Sequence, residues 1–337
     1  MGPAGLRRGA VRALVAFVGG LIAGGAAAAE RPKLGLPLDC RPGIDCVVQN
    51  YVDHDPGPGW RDHMCGAMTY DGHDGIDFRI RSLAAMRRGV AVRAALPGTV
   101  IGTRDEVPDV GLEAGAAIKG RECGNGVVIA HADGWSTQYC HMALGSIAVK
   151  PGDKVVVGQQ LGRVGLSGQT AFPHLHLTVR HDGRVVDPFA ADTPLDTCGS
   201  ASPLWAPAVA AVLPYRDRFV LNAGFADRGI VDREIEQGVY DNAAPTTASS
   251  ALAAYVRVIG LRAGDALGLV IFGPDGKPVA RAATQPLGKP RAVSMIATGL
   301  QAPPSGFAAG RYTAVFTVAA GGRTVSEQRF TTTLAQP

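Results

Sequence analysis

The sequence is poor in aromatic residues, at 6%, and in charge, at 18%. Past its N-terminal stretch it has no run apolar enough to span a membrane, since a helical span needs roughly 20 apolar residues. No Lys/Arg cluster or interleaved aromatic stripe is present, which argues against nucleic acid as a partner. No C-x-x-C pair occurs, so a thiolate zinc site is disfavoured. The last 139 residues hold no cysteine. No internal repeat is visible, and between residues 90 and 190 no helical pattern of ordinary length appears.

What is present begins with an export signal. Arg7, Arg8 and Arg12 precede an apolar stretch from Ala13 to about Gly25, and "AAAAE" offers a cleavage site after Ala29. Removing residues 1–29 takes three Arg and no acid from 33 Lys+Arg and 29 Asp+Glu, leaving a net charge of +1. The product is expected in a periplasm or outside the cell. All six cysteines (Cys40, Cys46, Cys65, Cys123, Cys140 and Cys198) lie between the signal and residue 200, an even number that favours disulfides in an exported chain. Fifteen connectivities are possible, and spacing does not choose among them.

The elements read as short strands and turns. "RSLAAMRRG" (81–89) predicts a short helix stopped by Gly89, and 90–102 predicts two strands about Pro97-Gly98. Residues 103–122 read as a surface loop, and 125–142 as a hairpin turning at Ala132-Asp133-Gly134. Alternating segments from residue 251 onward, with Pro-Asp-Gly and Gly-Gly turns, predict a small immunoglobulin-like β-sandwich. The fold class is therefore all-β. The expected division is a signal (1–29), an N-terminal arm (30–48), a catalytic domain (49–198), a Pro/Ala-rich linker (199–214) and a sandwich (215–337).

Five residues carry chemistry. His73 and Asp77 stand in "GHDGIDF", His141 in "TQYCHM", and His174 and His176 in "FPHLHL". Alternate residues on a strand share a face, so His174 and His176 point the same way. Gly75 between His73 and Asp77 favours a loop histidine followed by a strand aspartate over a helical pair. A catalytic zinc takes three protein ligands and keeps one position for water, whose pKa it lowers toward about 7. His54, His63, His131 and His181 read as surface or turn residues, and Asp53, Asp55 and Asp62 as a solvated loop. Trp60 and Trp135 read as packing residues. Asn125 is expected to shape the groove floor and is a candidate substrate contact.

These motifs, with "PGTVIG", "GNGVVIAHADGWSTQYCHM" and "KPGDKVVVGQQLGRVGLSG" between them, resemble the lysostaphin/LytM-type zinc endopeptidases over roughly residues 65–190. The resemblance implies an antiparallel catalytic domain with one Zn2+ per chain on His73, Asp77 and His176. It implies His141 and His174 as the catalytic pair beside the water, with His141 favoured as base. It implies a peptidoglycan hydrolase acting on peptide stems, with the C-terminal domain free to bind wall or an envelope partner. Met142, where the family usually has Leu, and Cys140 are departures from its pattern. The alternative is a non-catalytic member that regulates other wall hydrolases, and such members typically lose metal ligands.

Overall fold

Gly/Pro turns cut the first half of the chain into strands too short to stand alone, and they are stable only side by side. A computed structural model describes residues 1–2, 31–112 and 118–336. The body of the expected signal, residues 3–29, lies outside the described residues, as do 113–117 of the expected surface loop. No helix among the described residues is long and apolar enough to cross a membrane.

From Pro32 onward the first half contains β1 (Cys46–Asn50), β2 (Ile76–Ile80), α1 (Leu83–Arg88), β3 (Ala91–Arg93), β4 (Gly98–Arg104) and β5 (Asn125–Ala130). There follow β6 (Trp135–Met142), β7 (Lys154–Val155), β8 (Gln160–Arg163), β9 (His174–His181) and β10 (Arg184–Val185). The main antiparallel sheet runs β1-β2-β9-β6-β5-β4-β7, with β10 on β9. β3 and β8 pair separately, and their Val92 and Leu161 enter the same core as Ile76, Phe78, Leu175 and Leu177. The predicted helix is present. Ser82 caps it by accepting from the Ala85 N–H at 3.2 Å, and Gly89 ends it at φ 89°. The β5–β6 hairpin turns through Asp133 and Gly134, both at positive φ.

Two of the expected segments contribute to the first core. Leu34 and Leu38 of the expected arm are buried in it. In the expected linker, Leu204, Trp205 and Leu213 join that core, and the Leu34 N–H donates to the Leu204 carbonyl at 2.8 Å. Neither stretch shows a periodic apolar pattern, since each contributes isolated side chains that seal the edge of a sheet. The disulfides are Cys40–Cys46, Cys65–Cys198 and Cys123–Cys140.

The second half contains α2 (Pro207–Ala210), β11 (Phe219–Ala226), α3 (Asp232–Gln237), β12 (Ala251–Leu261), β13 (Asp265–Phe272) and β14 (Pro278–Ala283), then β15 (Arg291–Gln301), β16 (Gly310–Ala320) and β17 (Arg323–Leu334). Sheet β11-β12-β15 faces sheet β14-β13-β16-β17 across a shared core that includes Val256, Val258, Leu269, Ile271 and Phe316. β13 alternates buried and half-buried residues, as a one-sided strand should. β12 is buried almost throughout, because its second face is covered as well. There Ile259 packs with Val47 of β1, and Tyr255 with Ile235 of α3.

Candidate metal centre and catalytic histidines

Strand register assembles the site. β2 and β9 pair antiparallel with Asp77 opposite His176 and Arg79 opposite His174. β6 flanks β9 on its other side, with Cys140 opposite His176, which brings His141 to the same end. His73 arrives from the loop before β2. His73 Nε2 lies 3.1 Å from Asp77 Oδ1 and 3.1 Å from His176 Nδ1, and His176 Nδ1 lies 3.0 Å from Asp77 Oδ1. All three residues are buried.

Each member is held from behind. His73 Nδ1 donates to the Tyr51 carbonyl at 2.6 Å, so its Nε2 presents a lone pair. His176 Nε2 faces Thr178 Oγ1 at 3.0 Å and Asp74 Oδ1 at 3.2 Å, which places its proton there and leaves Nδ1 as the lone pair. Asp77 Oδ2 accepts from Asn50 Nδ2 at 2.8 Å, so Oδ1 is the oxygen that faces the imidazoles. Three ligand-type atoms thus converge, and without a cation or a proton among them they repel one another. Zinc at about 2.0–2.2 Å from each ligand would hold tetrahedral neighbours about 3.3 Å apart, close to the separations seen. His73, Asp77 and His176 form a cluster able to hold a metal ion, and the donor set of two imidazoles and a carboxylate fits zinc. The outer partners Tyr51, Asp74 and Asn50 are of the kind that orient metal-bound ligands.

Burial alone would raise the Asp77 carboxyl, but the imidazoles of His73 and His174 outweigh it and hold it well below its ordinary range. Burial lowers His176, yet hydrogen bonds to Asp74 and Asp77 push it up to about 9. His141 is held well below its ordinary value, first by burial and then by His174 and His176. Its Nδ1 donates to the Ser167 carbonyl at 2.8 Å, which makes Nε2 the basic nitrogen. The residue sits at φ 61°, a left-handed conformation that costs a non-glycine residue on the order of 1–3 kcal/mol. Its N–H donates to the Cys123 carbonyl at 2.8 Å, which helps retain that conformation. His174 Nδ1 faces the Phe172 carbonyl at 2.9 Å and its Nε2 faces Asp77 Oδ1 at 3.3 Å, so both ring nitrogens meet acceptors. The His141 and His174 rings lie 4.7 Å apart. A groove of about 400 Å³ lined by Tyr70, Asp74, Glu122, His141 and Arg180 opens onto the cluster.

The other candidates fall elsewhere. Asn125 is fully buried, and this corrects its reading as a substrate contact. Its amide is spent on the Val107 N–H and carbonyl, each at 2.7 Å, and on the Met142 carbonyl at 3.2 Å. His54 and His63 are buried rather than superficial. His54 lies between the Thr197 carbonyl and Asp187 Oδ2, at 2.7 and 2.9 Å. Asp62 is also buried, and it accepts from the Met64, Gly66 and Met68 N–H groups and from the Tyr215 hydroxyl. Asp53 accepts from the Asp55, Arg61 and Gly72 N–H groups. These residues shape the loop that delivers His73. His131 bonds the Pro97 carbonyl and Thr137, and Trp135 stacks on His181 at 4.4 Å. Trp60, expected to pack, is 52% exposed. The sequence reading missed Asp74 and Thr178. Thr178 was accessible, because it continues the alternate-residue face of His174 and His176.

Residues 71–188 match the family model described as Peptidase family M23. The chain is 34% identical over 123 residues to the Vibrio cholerae protein named Peptidoglycan DD-endopeptidase ShyA, covering 36% of this chain and 24% of that protein. It is 32% identical over 128 residues to the Neisseria meningitidis DD-carboxypeptidase/endopeptidase Mpg, covering 37% and 24%. The match therefore spans about a quarter of the length of these relatives. Among solved structures, the catalytic domain of the antimicrobial peptidase lysostaphin from Staphylococcus simulans is similar at 23% identity, over 41% of this chain and 85% of that one, with a TM-score of 0.28.

Proposed function

We propose that the chain, whose residues 71–188 match the family model described as Peptidase family M23, is an exported zinc endopeptidase that hydrolyses peptide cross-links of bacterial peptidoglycan. The observation that carries this reading is the convergence of His73 Nε2, Asp77 Oδ1 and His176 Nδ1, with His141 and His174 alongside. The relative named Peptidoglycan DD-endopeptidase, and the one named DD-carboxypeptidase/endopeptidase, support the substrate class.

In this reading His73, Asp77 and His176 hold one zinc ion, which supplies Lewis acidity and acidifies water at the site. His141 is the base. Its burial keeps it neutral at pH 7, and its Ser167 bond turns the basic Nε2 inward. His174 is the donor. Its Nδ1 is anchored at the Phe172 carbonyl and its Nε2 faces the site beside Asp77, and in this reading Nε2 hydrogen-bonds the developing oxyanion of the substrate carbonyl and serves the leaving amine. Such acid–base help contributes roughly 10²–10⁴-fold.

The test is mass analysis of muropeptides released from purified sacculi by the zinc-loaded protein, beside His176→Ala and Asp77→Ala. The wild type should open cross-links, and both variants should lose zinc and cleavage together. A variant that keeps full activity would remove that residue from the ligand set. Intact sacculi with every protein would favour the regulatory alternative.

A further inference from the structure

β2 shows two charged residues to the face that bears the site. Asp77 is one. Arg79, two positions on, is the other, and it stands opposite His174 on β9. Arg79 is only 2% exposed, so its charge must be compensated by partners. Its Nη1 donates to Gln49 Oε1 at 2.7 Å, and its Nη2 donates to Glu236 Oε2. Its guanidinium carbon lies 4.2 Å from the centre of the Phe172 ring, a cation–π contact.

The partners lie in different parts of the chain. Gln49 belongs to β1. Glu236 comes from α3, past the first core, and its Oε2 also accepts from Arg257 Nη1 of β12 at 2.6 Å. Phe172 completes the line toward the site. Its carbonyl accepts from His174 Nδ1 at 2.9 Å, and its ring centre lies 4.6 Å from that of the imidazole. A continuous contact path therefore runs from the sandwich, through Arg257, Glu236, Arg79 and Phe172, to His174.

We infer that Glu236 and Arg79 are positioning residues for His174, through which the C-terminal sandwich sets the orientation of a site histidine it does not touch. The inference rests on the reading of His174 as catalytic. Removing the Glu236 charge leaves the buried Arg79 guanidinium short of compensation, and it must turn toward another acceptor or water. Phe172 then loses the cation over its ring, and the carbonyl that anchors the His174 ring shifts with it. The ligands His73, Asp77 and His176 keep their own outer partners, so metal binding is spared.

The experiment uses the full chain after signal removal, zinc-loaded and labelled with ¹⁵N-histidine, as wild type, Glu236→Gln and Arg79→Met. Imidazole spectra, zinc content, thermal melts, and kcat and KM on cross-linked muropeptides are read for each. Both variants should hold one zinc and melt cooperatively. The His174 resonances should move while those of His131 stay, and kcat should fall roughly tenfold with KM within about twofold. Unmoved His174 resonances in a folded variant would overturn the proposal. If Glu236→Gln does not fold, Arg79→Met decides, because it leaves Glu236 paired with Arg257. If Arg79→Met also fails to fold, the pair is a structural brace and the positioning role is lost. A wild type that cleaves nothing would defeat the hydrolase reading, while the imidazole spectra would still decide the coupling.

Discussion

A methyl group added at Gly75 would stand 2.5 Å from His176 Nε2 and 2.7 Å from the Leu177 carbonyl oxygen. The loop between His73 and Asp77 can therefore pass over the ligand only as glycine. Gly75→Ala should push the His176 ring aside and weaken zinc binding by about 10–100-fold, the usual cost of disturbing a ligand's support. Chelator competition measures this, and wild-type affinity would show that the loop yields instead. His54 makes a second prediction at this scale. Burial alone would lower its pKa, but the hydrogen bond and charge of Asp187 raise it above its ordinary value. Its contribution to stability is then complete below pH about 6.5 and fades as pH rises through the raised value. The Tm difference between wild type and His54→Gln should shrink from pH 6 to pH 9, and a constant difference would count against a charged His54. The cluster of His73, Asp77 and His176 was legible because metal chemistry admits few residue types and strand alternation sets their spacing. His54, Asp62 and Asp53 were not legible. A loop that satisfies its own backbone with buried side chains leaves no periodic mark.

Among the elements, β6 carries the sharpest constraint. It ends in Cys140 and His141, and the Cys123–Cys140 disulfide closes a sequence separation of 17 across the groove wall. The same Cys123 supplies the carbonyl that holds the left-handed His141 backbone. Replacing both cysteines with serine should cost about 3 kcal/mol of stability, as expected for a loop of this length. It should also lower kcat more than zinc affinity, since His141 is loosened and the ligands are not. Urea unfolding and zinc titration separate the two effects, and unchanged kcat in the folded double variant would assign the disulfide to stability alone. Strands were read well wherever apolar and polar residues alternate, as in β13 and the β5–β6 hairpin. The core contacts of the arm and linker stretches were not legible because Leu34, Leu204 and Trp205 act singly. A lone apolar residue in a Gly/Pro-rich stretch looks the same whether it seals a core or faces water.

Across the whole molecule, the first core does not end where the cysteines end. Leu204, Trp205 and Leu213 complete it, and Tyr215 reaches back to donate to Asp62 at 2.8 Å. A chain cut after residue 200 should therefore lose its cooperative melt, whereas one cut after residue 216 should retain it. Calorimetry on both decides the point, and equal melts would mean that residues 201–216 add nothing. The second cut still removes Glu236 and uncovers Arg79, so it separates folding of the first core from the orientation of His174. The sandwich was visible in its alternation, but its contact with the first domain was not. Pairings such as Val47 with Ile259 join residues that look like ordinary strand positions in each half. The Cys65–Cys198 bridge, at a sequence separation of 133, and the Leu34–Leu204 bond also impose an order in time. A chain emerging from its N-terminus has shown all five site residues once His176 is out. It still cannot seal the core beneath them until the stretch through Leu213 follows. Sealing of that core therefore waits for the segment through Leu213, and until then His73, Asp77 and His176 lack the packed support beneath them.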